Sequence, residues 1–569
     1  MADTYILGMA RGHNSSVCLL KNGEVVFYLE EERASRWKHD GTPLRALELV
    51  KKYTNRIDAL AIGHTDNHVP RSDWCSDNIY VEFLRKHHLI THKTPVHLLG
   101  NIHHKLHAAC AFFNSGFDDA VAVIVDGAGT FQEGKNHLGV QIGMWEAETI
   151  FNCSYPTEFE TIYQNLQTNY ATVRQRIENS ENPKSESWIS DNPGIVKCYE
   201  AATVYLGFDP IEAGKTMGMA PYGSPDIRIP DFFNGIGKTN RNLVSPTIPS
   251  ASLINTNNFE FLQDNTLENQ KNLAYKIQID SQAAVLALIK KAVEMSGKTN
   301  VVIAGGYGLN CVANYWYLDQ LPEGVNLYVE PVSHDGGTSI GAAKLIHYHM
   351  FQNDVKHPQT SIYYGPKYEL DVNYIQSLPD FSSEEVSYTD IAKLIREKNI
   401  VCMFQGRSEA GPRALGNRTI LFDPTVPNGK DIVNEVKRRE WFRPFAGSVL
   451  VEKAHDWFDF KNLKESPFMM YAVDVKKEKL GEIPSITHVD GTCRAQTVSK
   501  DQNLHYYNLI SEFEKLSGVP ILFNTSFNLG GDPLVETFDD AINTLRKSDL
   551  QYLYLPEINI LLKKNNANY

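Results

Sequence analysis

The sequence predicts an α/β protein in two parts. Three observations carry that: apolar runs of strand length that end in glycine turns, a long helical stretch between two of them, and a change of style after about residue 360. Ala120-Val-Ala-Val-Ile-Val125 is continuously apolar, as a strand buried on both faces is, and ends directly in Asp126-Gly127. Asn300-Val-Val-Ile-Ala-Gly-Gly-Tyr-Gly-Leu-Asn310 repeats the pattern. Between them Leu273, Ile277, Ala284, Leu288 and Ala292 recur at helical spacing, and Gly297 follows as a C-cap.

Taken in order, the chain opens as a meander. Tyr5–Met9, Ser16–Leu20 and Val25–Leu29 read as strands, with a polar loop Arg11–Ser15 and an Asn22-Gly23 turn of type I′ between them. Strand and turn units that reappear after a crossover helix suggest two related α/β halves around a cleft. The polar stretches 178–193 and 234–258 read as surface loops or insertions. A helix from Gly341 to about residue 353 precedes a connector at 358–366. The expected domains are therefore 1–360 and 361–569, the second showing separate polar motifs at the ends of short strands.

At 569 residues the chain is too long for one core. Its 42% hydrophobic and 22% charged residues describe an ordinary globular protein. No apolar run approaches the roughly 18 to 20 residues that span a bilayer, and Met1-Ala-Asp-Thr lacks a basic secretory start, so a cytoplasmic location and no membrane partner are expected. The eight cysteines form no CxxC pair and are expected to be reduced core residues. A net charge of −13 argues against general adhesion to nucleic acid.

His103 and His107 are four apart, so on a helix both imidazoles share one face, the spacing of a bidentate metal clamp. Nine of the nineteen histidines fall between His64 and His107. Alone, such a pair is more often two ordinary helix histidines. Asp126 at a strand end, and Asp335 in Ser333-His-Asp-Gly-Gly-Thr338, supply the carboxylates that would complete a four-ligand set. Imidazole with carboxylate suits iron, zinc or manganese better than calcium.

The turn Gly305-Gly306 to Asn310, and Gly127 after Asp126, place backbone where phosphate oxygens can approach, with Asn310 able to read a nucleotide or sugar edge. Glu212-Ala-Gly-Lys215 to Gly223 reads as a glycine-punctuated turn with one acid and one base, suited to nucleotide contact. In the second part, Gly406–Arg418 presents three arginines among glycines, Lys437–Phe445 adds four cations, and His488–Arg494 and Phe523–Asn528 add an arginine and an amide and hydroxyl cluster. Lys437–Arg439 by itself reads as a solvated charged face. Arg413, Arg443 and Arg494 lie in glycine-, proline- or aromatic-punctuated motifs where guanidinium forks can bind phosphate.

These segments together resemble the ATP-dependent O-carbamoyltransferases of the nodulation-factor and aminoglycoside type. The first part is similar to the actin-like ATPase fold, and the second to a YrdC-like domain. His13-Asn-Ser-Ser16, Glu30-Glu-Glu-Arg33 with Lys38-His-Asp40, and Arg407-Ser-Glu-Ala-Gly-Pro-Arg-Ala-Leu-Gly416 carry the resemblance, which runs from residue 5 to about 540. It departs at Asn14, where the family usually has Asp, and at Gly530-Gly531, where many relatives are polar or basic.

The resemblance implies a two-step reaction. The YrdC-like domain would bind carbamoyl phosphate through Arg413, Arg443, Arg494, Asn524 and Ser526 and, with Mg-bound ATP, form carbamoyl-AMP. This mixed anhydride would pass through a protected interior to the first domain. A divalent metal on His103, His107, Asp126 and Asp335, iron ahead of zinc or manganese, would polarise the carbamoyl carbonyl there. Gly127, Glu212, Lys215, Gly305, Gly306 and Asn310 would contact the nucleotide, and His13 would act as general base on an acceptor hydroxyl. The expected acceptor is a small molecule such as a sugar or natural product. The alternative is a hydroxymethylated pyrimidine in DNA gripped by a rim such as Arg85–His88 and Lys93, which would make transfer steeply salt-dependent. A sugar kinase or an ATP-driven switch would explain the glycine turns but not the arginine-rich second part. Monomer and homodimer stay open.

Overall fold

The computed structural model describes residues 3–64, 78–177, 182–352 and 355–565. His68, Cys75 and the first residues of the 178–193 stretch lie outside the described residues. The chain forms two compact units: Met1–Glu31 with His39–Thr360, and Glu32–Lys38 with Ser361–Tyr569.

The first unit opens with the expected meander: β1 (Tyr5–Ala10), β2 (Ser16–Lys21) and β3 (Glu24–Glu30). Asn22 and Gly23 turn it with φ of 52° and 91°, the two positive values a type I′ turn demands. β4 (Ala59–Gly63) runs parallel to β1, and β5 (Val96–Leu98) parallel to β4, giving the order β3-β2-β1-β4-β5.

The second sheet is built the same way. It contains β6 (Asp119–Val125), β7 (Phe131–Lys135), β8 (Gln141–Ser154), β9 (Glu158–Gln167), β10 (Gln175–Ile177) and β11 (Glu186–Ser190). After a ribbon of β12 (Val244–Ser245) and β13 (Leu253–Ile254), β14 (Asn300–Ala304) and β15 (Asn326–Val329) complete it. Its central order β9-β8-β6-β14-β15 repeats the first sheet strand for strand, antiparallel on one side and parallel on the other. Two halves of one topology are the arrangement of the actin-like ATPase fold.

Packing explains the strand assignments. Ala120–Val125 is buried throughout, and Ala120, Ala122 and Ile124 join Val302, Ala304 and the His103–Ser115 helix in one core. The long helix, Leu267–Ser296, ends at Gly297 with φ 67° as the sequence indicates. It begins earlier than its apolar periodicity because Thr266 accepts from Asn269 N as N-cap.

Two expectations are corrected here. Glu186–Ser190, expected as surface loop, is a strand parallel to β9, and Ile189 packs with Ile142, Met144 and Leu166. Glu212–Gly223, expected as a turn, is mainly helical: Pro210–Glu212, Ala213–Met219 and Ala220–Tyr222 follow one another. An Asp209–Glu212 capping box with Pro210 at the first position nucleates it, which outweighs the glycines.

The second unit is a ten-stranded sheet. Its strands are β16 (Phe381–Glu385), β17 (Val401–Phe404), β18 (Arg418–Phe422), β19 (Ala446–Leu450), β20 (Phe458–Asp459), β21 (Ala472–Val475), β22 (Thr492–Val498), β23 (Ile521–Ser526), β24 (Tyr552–Leu555) and β25 (Ile560–Lys564). They run in the order β16-β25-β24-β17-β18-β23-β19-β22-β21-β20. Phe404, Ile420, Phe527, Ile542 and Leu553 belong to its core. Among the described residues, the seven cysteines are free and buried, and no helix is long and apolar enough to cross a membrane.

Candidate metal centre and anion site

The first turn of the His103–Ser115 helix brings two imidazoles together, with His103 Nε2 and His107 Nε2 3.1 Å apart. Ile102 cannot cap that helix, and Thr130 does so instead, its hydroxyl accepting from His103 N at 2.9 Å. Asp126 follows directly on β6, its Oδ2 3.5 Å from His103 Nε2. Asp335 Oδ1, on the turn before the Thr338–Phe351 helix, is 3.6 Å from His103 Nε2 and 3.4 Å from His107 Nε2. One ligand atom from each of the four buried residues lies within 4.8 Å of the others.

The glycine turn holds a ligand in place. Gly306 N donates to Asp126 Oδ1 at 2.9 Å. Gly305 reaches that position with φ 89°, and a Cβ there would stand 2.4 Å from Val125 O. Burial opposes the charged form of His103, but the Asp335 and Asp126 carboxylates outweigh it and raise its pKa to about 10. Burial would likewise raise both carboxyls. His13 and His103 hold Asp335 well below its ordinary value, and His103 and His107 lower Asp126. Two carboxylates and two imidazoles gathered this closely could hold a metal ion, and mixed nitrogen and oxygen donors are the kind of set a divalent transition metal takes.

His104 turns away to meet Thr149 Oγ1 at 2.7 Å, and burial pushes its pKa down to about 4. His13 Nε2 lies 3.6 Å from Asp335 Oδ2, with half of its side chain exposed. Its neighbour Asn14 has φ 61°, a conformation Asn tolerates better than most residues, and its Nδ2 is 3.3 Å from His39 Nδ1.

Gly127 leads from Asp126 towards a pair that the sequence did not mark. Lys197 donates to Glu200 Oε2 at 2.8 Å, and a Cβ on Gly127 would come within 2.9 Å of Glu200 Oε1. Asn310 caps the Cys311–Gln320 helix and bonds Gln278. Glu212 and Lys215 pair with each other at 2.8 Å, and Lys215 lies over the Phe208 ring.

In the second unit the cations gather around β23. Lys437, only 1% exposed, ends the Gly429–Lys437 helix and donates to Ser526 O, to Asn528 O at 2.7 Å and to Asn528 Oδ1 at 3.1 Å. Arg439 donates to Thr525 Oγ1 at 3.3 Å and lies over the Phe445 ring. Burial, then the positive field of Arg443 and Arg494, pushes Arg439 well below its ordinary pKa. Burial, then Arg439 and Arg443, does the same to Lys437. Glu440, 3.5 Å from Arg443 Nη1, is the acid that faces them. Lys437–Arg439 is therefore not the solvated face its composition suggests, because strand-end carbonyls far along the chain take the lysine inward.

Asn524 is fully buried, and its Nδ2 reaches Ala414 O, Ser448 Oγ and Gln496 Oε1 at 3.1, 2.9 and 3.2 Å. Its carbonyl oxygen has no hydrogen-bond partner among the described residues. Ser526 Oγ donates to Asn528 Oδ1 at 2.6 Å. Arg413 follows directly on Gly411-Pro412 and precedes the Ala414 carbonyl that Asn524 holds. Gly530 is required where it stands, since a Cβ would lie 2.5 Å from Arg438 O.

The family model of the carbamoyltransferase N-terminus matches residues 45–344, and that of the carbamoyltransferase C-terminus matches residues 392–563. The nodulation protein NolNO of Sinorhizobium fredii is 30% identical over 98% of this chain and 80% of its own. The nodulation protein NolO of Bradyrhizobium diazoefficiens is 30% identical over 79% and 77%. An uncharacterized protein of Synechocystis is 30% identical over 97% and 96%. The crystal structure of full-length HypF in its phosphate- and nucleotide-bound form covers 62% of the chain at 12% identity with a TM-score of 0.36, too loose a likeness to build on. With both family models matched in order and relatives similar along nearly its whole length, the chain belongs to the carbamoyltransferase family of enzymes.

Proposed function

We propose that the protein is an ATP-dependent O-carbamoyltransferase that uses carbamoyl phosphate and passes the carbamoyl group to a hydroxyl of a small molecule such as a sugar or natural product. The observation that carries this reading is the cation cluster of the second unit. Lys437 is buried and Arg439 half-buried in the positive field of Arg443 and Arg494, an arrangement that calls for bound anions. Carbamoyl phosphate and ATP are both polyanions that repel each other in water, and clustered guanidiniums offset that repulsion.

In the first step water cleaves carbamoyl phosphate to carbamate and phosphate. The carbamate oxygen then attacks the α-phosphorus of ATP and pyrophosphate leaves, giving carbamoyl-AMP. Arg443, Arg494 and Arg439 face the phosphate charge, while Arg413, Asn524 and Ser526 complete the site. In the second step the acceptor oxygen attacks the carbamoyl carbon and AMP leaves. His13, beside Asp335, takes the acceptor proton. His103, His107, Asp126 and Asp335 would hold a divalent transition metal, iron ahead of zinc or manganese, which when bound supplies Lewis acidity at the carbamoyl oxygen. Gly127, Gly305 and Gly306 approach the nucleotide with backbone, and Glu212, Lys215 and Asn310 belong to the same proposed nucleotide site.

Purified protein with Mg-ATP and carbamoyl phosphate should release pyrophosphate and form carbamoyl-AMP by mass spectrometry, with neither product when carbamoyl phosphate is omitted. ADP formed regardless of carbamoyl phosphate would sink the proposal.

A further inference from the structure

The geometry points to Arg33, with Arg36, as positioning residues for the arginine loop of the second unit, supplied by a segment 370 residues upstream of it; this rests on the proposed role of Arg413. Glu32–Lys38 belongs to the second unit although the residues on both sides of it belong to the first. Arg33 is 3% exposed and its Nη2 donates to Gly411 O at 2.6 Å. Arg36 donates to Leu534 O at 2.6 Å and Pro533 O at 2.8 Å, and its Nε is 3.5 Å from Asp540 Oδ1.

Gly411 stands at a turn of the loop. It turns with φ 82°, and Pro412 and Arg413 follow. The rest of the loop is fastened from within: Glu409 Oε1 accepts from Leu415 N and Asn417 N at 2.8 Å and from Arg418 N at 3.2 Å. Arg407 donates to Tyr364 O and Gly365 O, both at 2.6 Å. The carbonyl of Gly411 is met from outside the loop by Arg33. A charged donor on a buried carbonyl is among the stronger hydrogen bonds, and it fixes the Gly411–Pro412 peptide plane, from which the proline with its restricted φ leads to Arg413. Arg36 holds the Pro533-Leu534 segment of backbone in the same way. Neither arginine needs to touch substrate for this; their effect is on where Arg413 stands.

The test uses the full chain and pyrophosphate release from Mg-ATP as carbamoyl phosphate is varied. Arg33→Met should raise the KM for carbamoyl phosphate by about tenfold or more, and leave the KM for ATP within about twofold. Arg33→Lys, which keeps one charged donor, should fall between. A variant that melts like the wild type with an unchanged KM for carbamoyl phosphate overturns the inference, as does an equal rise in both KM values, the mark of general loosening. If Arg33→Met does not fold, Arg33→Lys is read in its place, and a wild-type KM there overturns it. Failure of the wild type to release pyrophosphate with carbamoyl phosphate would instead remove the underlying reading of the Arg413 site.

Discussion

His103 Nε2 and His107 Nε2 face each other at 3.1 Å, with Asp335 Oδ1 within 3.6 Å of both. Two ring nitrogens held tip to tip gain nothing from each other unless a proton or a metal lies between them.

The protein as purified should therefore carry about one divalent transition metal per chain by elemental analysis. Asp335→Asn should lower that content and cut carbamoyl transfer by about a hundredfold or more, while carbamoyl-phosphate-dependent pyrophosphate release continues. Loss of both activities together would contradict two separable sites.

Arg439→Met should abolish pyrophosphate release, by about a hundredfold or more, because a charge in the field of Arg443 and Arg494 is gone. Its melting temperature should be unchanged or raised, since a half-buried cation among cations costs stability until an anion binds. A large fall in melting temperature would mean that Arg439 is structural.

Gly305→Ala should destabilise the first unit by about 2 kcal/mol or more in denaturant unfolding, since φ 89° and the Val125 carbonyl both exclude a methyl group. The Gly306 N bond to Asp126 should be lost with it, so metal content should fall in the fraction that remains folded.

Glu31, 2% exposed, gives a pH signature. Burial raises its pKa from 4.5 to about 7, against the amides of Arg45 and Ala46 that it accepts. The folded state therefore binds the proton more tightly than the unfolded chain. Its contribution is fully present below pH 4.5 and is lost as pH rises through 7. Glu31→Gln should remove this component and flatten the melting temperature against pH across that window by a few degrees. An identical profile in both proteins would refute it.

The sequence by itself determined whatever short-range periodicity encodes. The apolar run 120–125, the HxxxH spacing and the Asn22-Gly23 turn each lie within one element, so strand, helix and turn could be read from neighbours. Where a polar residue ends up is decided by partners distant in the chain. Lys437 looks solvated until Ser526 and Asn528 meet it, and nothing near Arg33 in the sequence points to the Gly411 carbonyl that accepts its hydrogen bond. Lys197 and Glu200 carried no motif at all, and acquire interest only because Gly127 leaves room for them. Glu212–Gly223 failed as a turn for a related reason, since capping by Asp209 outweighed glycine composition. Only the tertiary structure could set Asp335 between two histidines more than 200 residues upstream, because a site of this kind is made by strand order and helix docking, which no local pattern specifies.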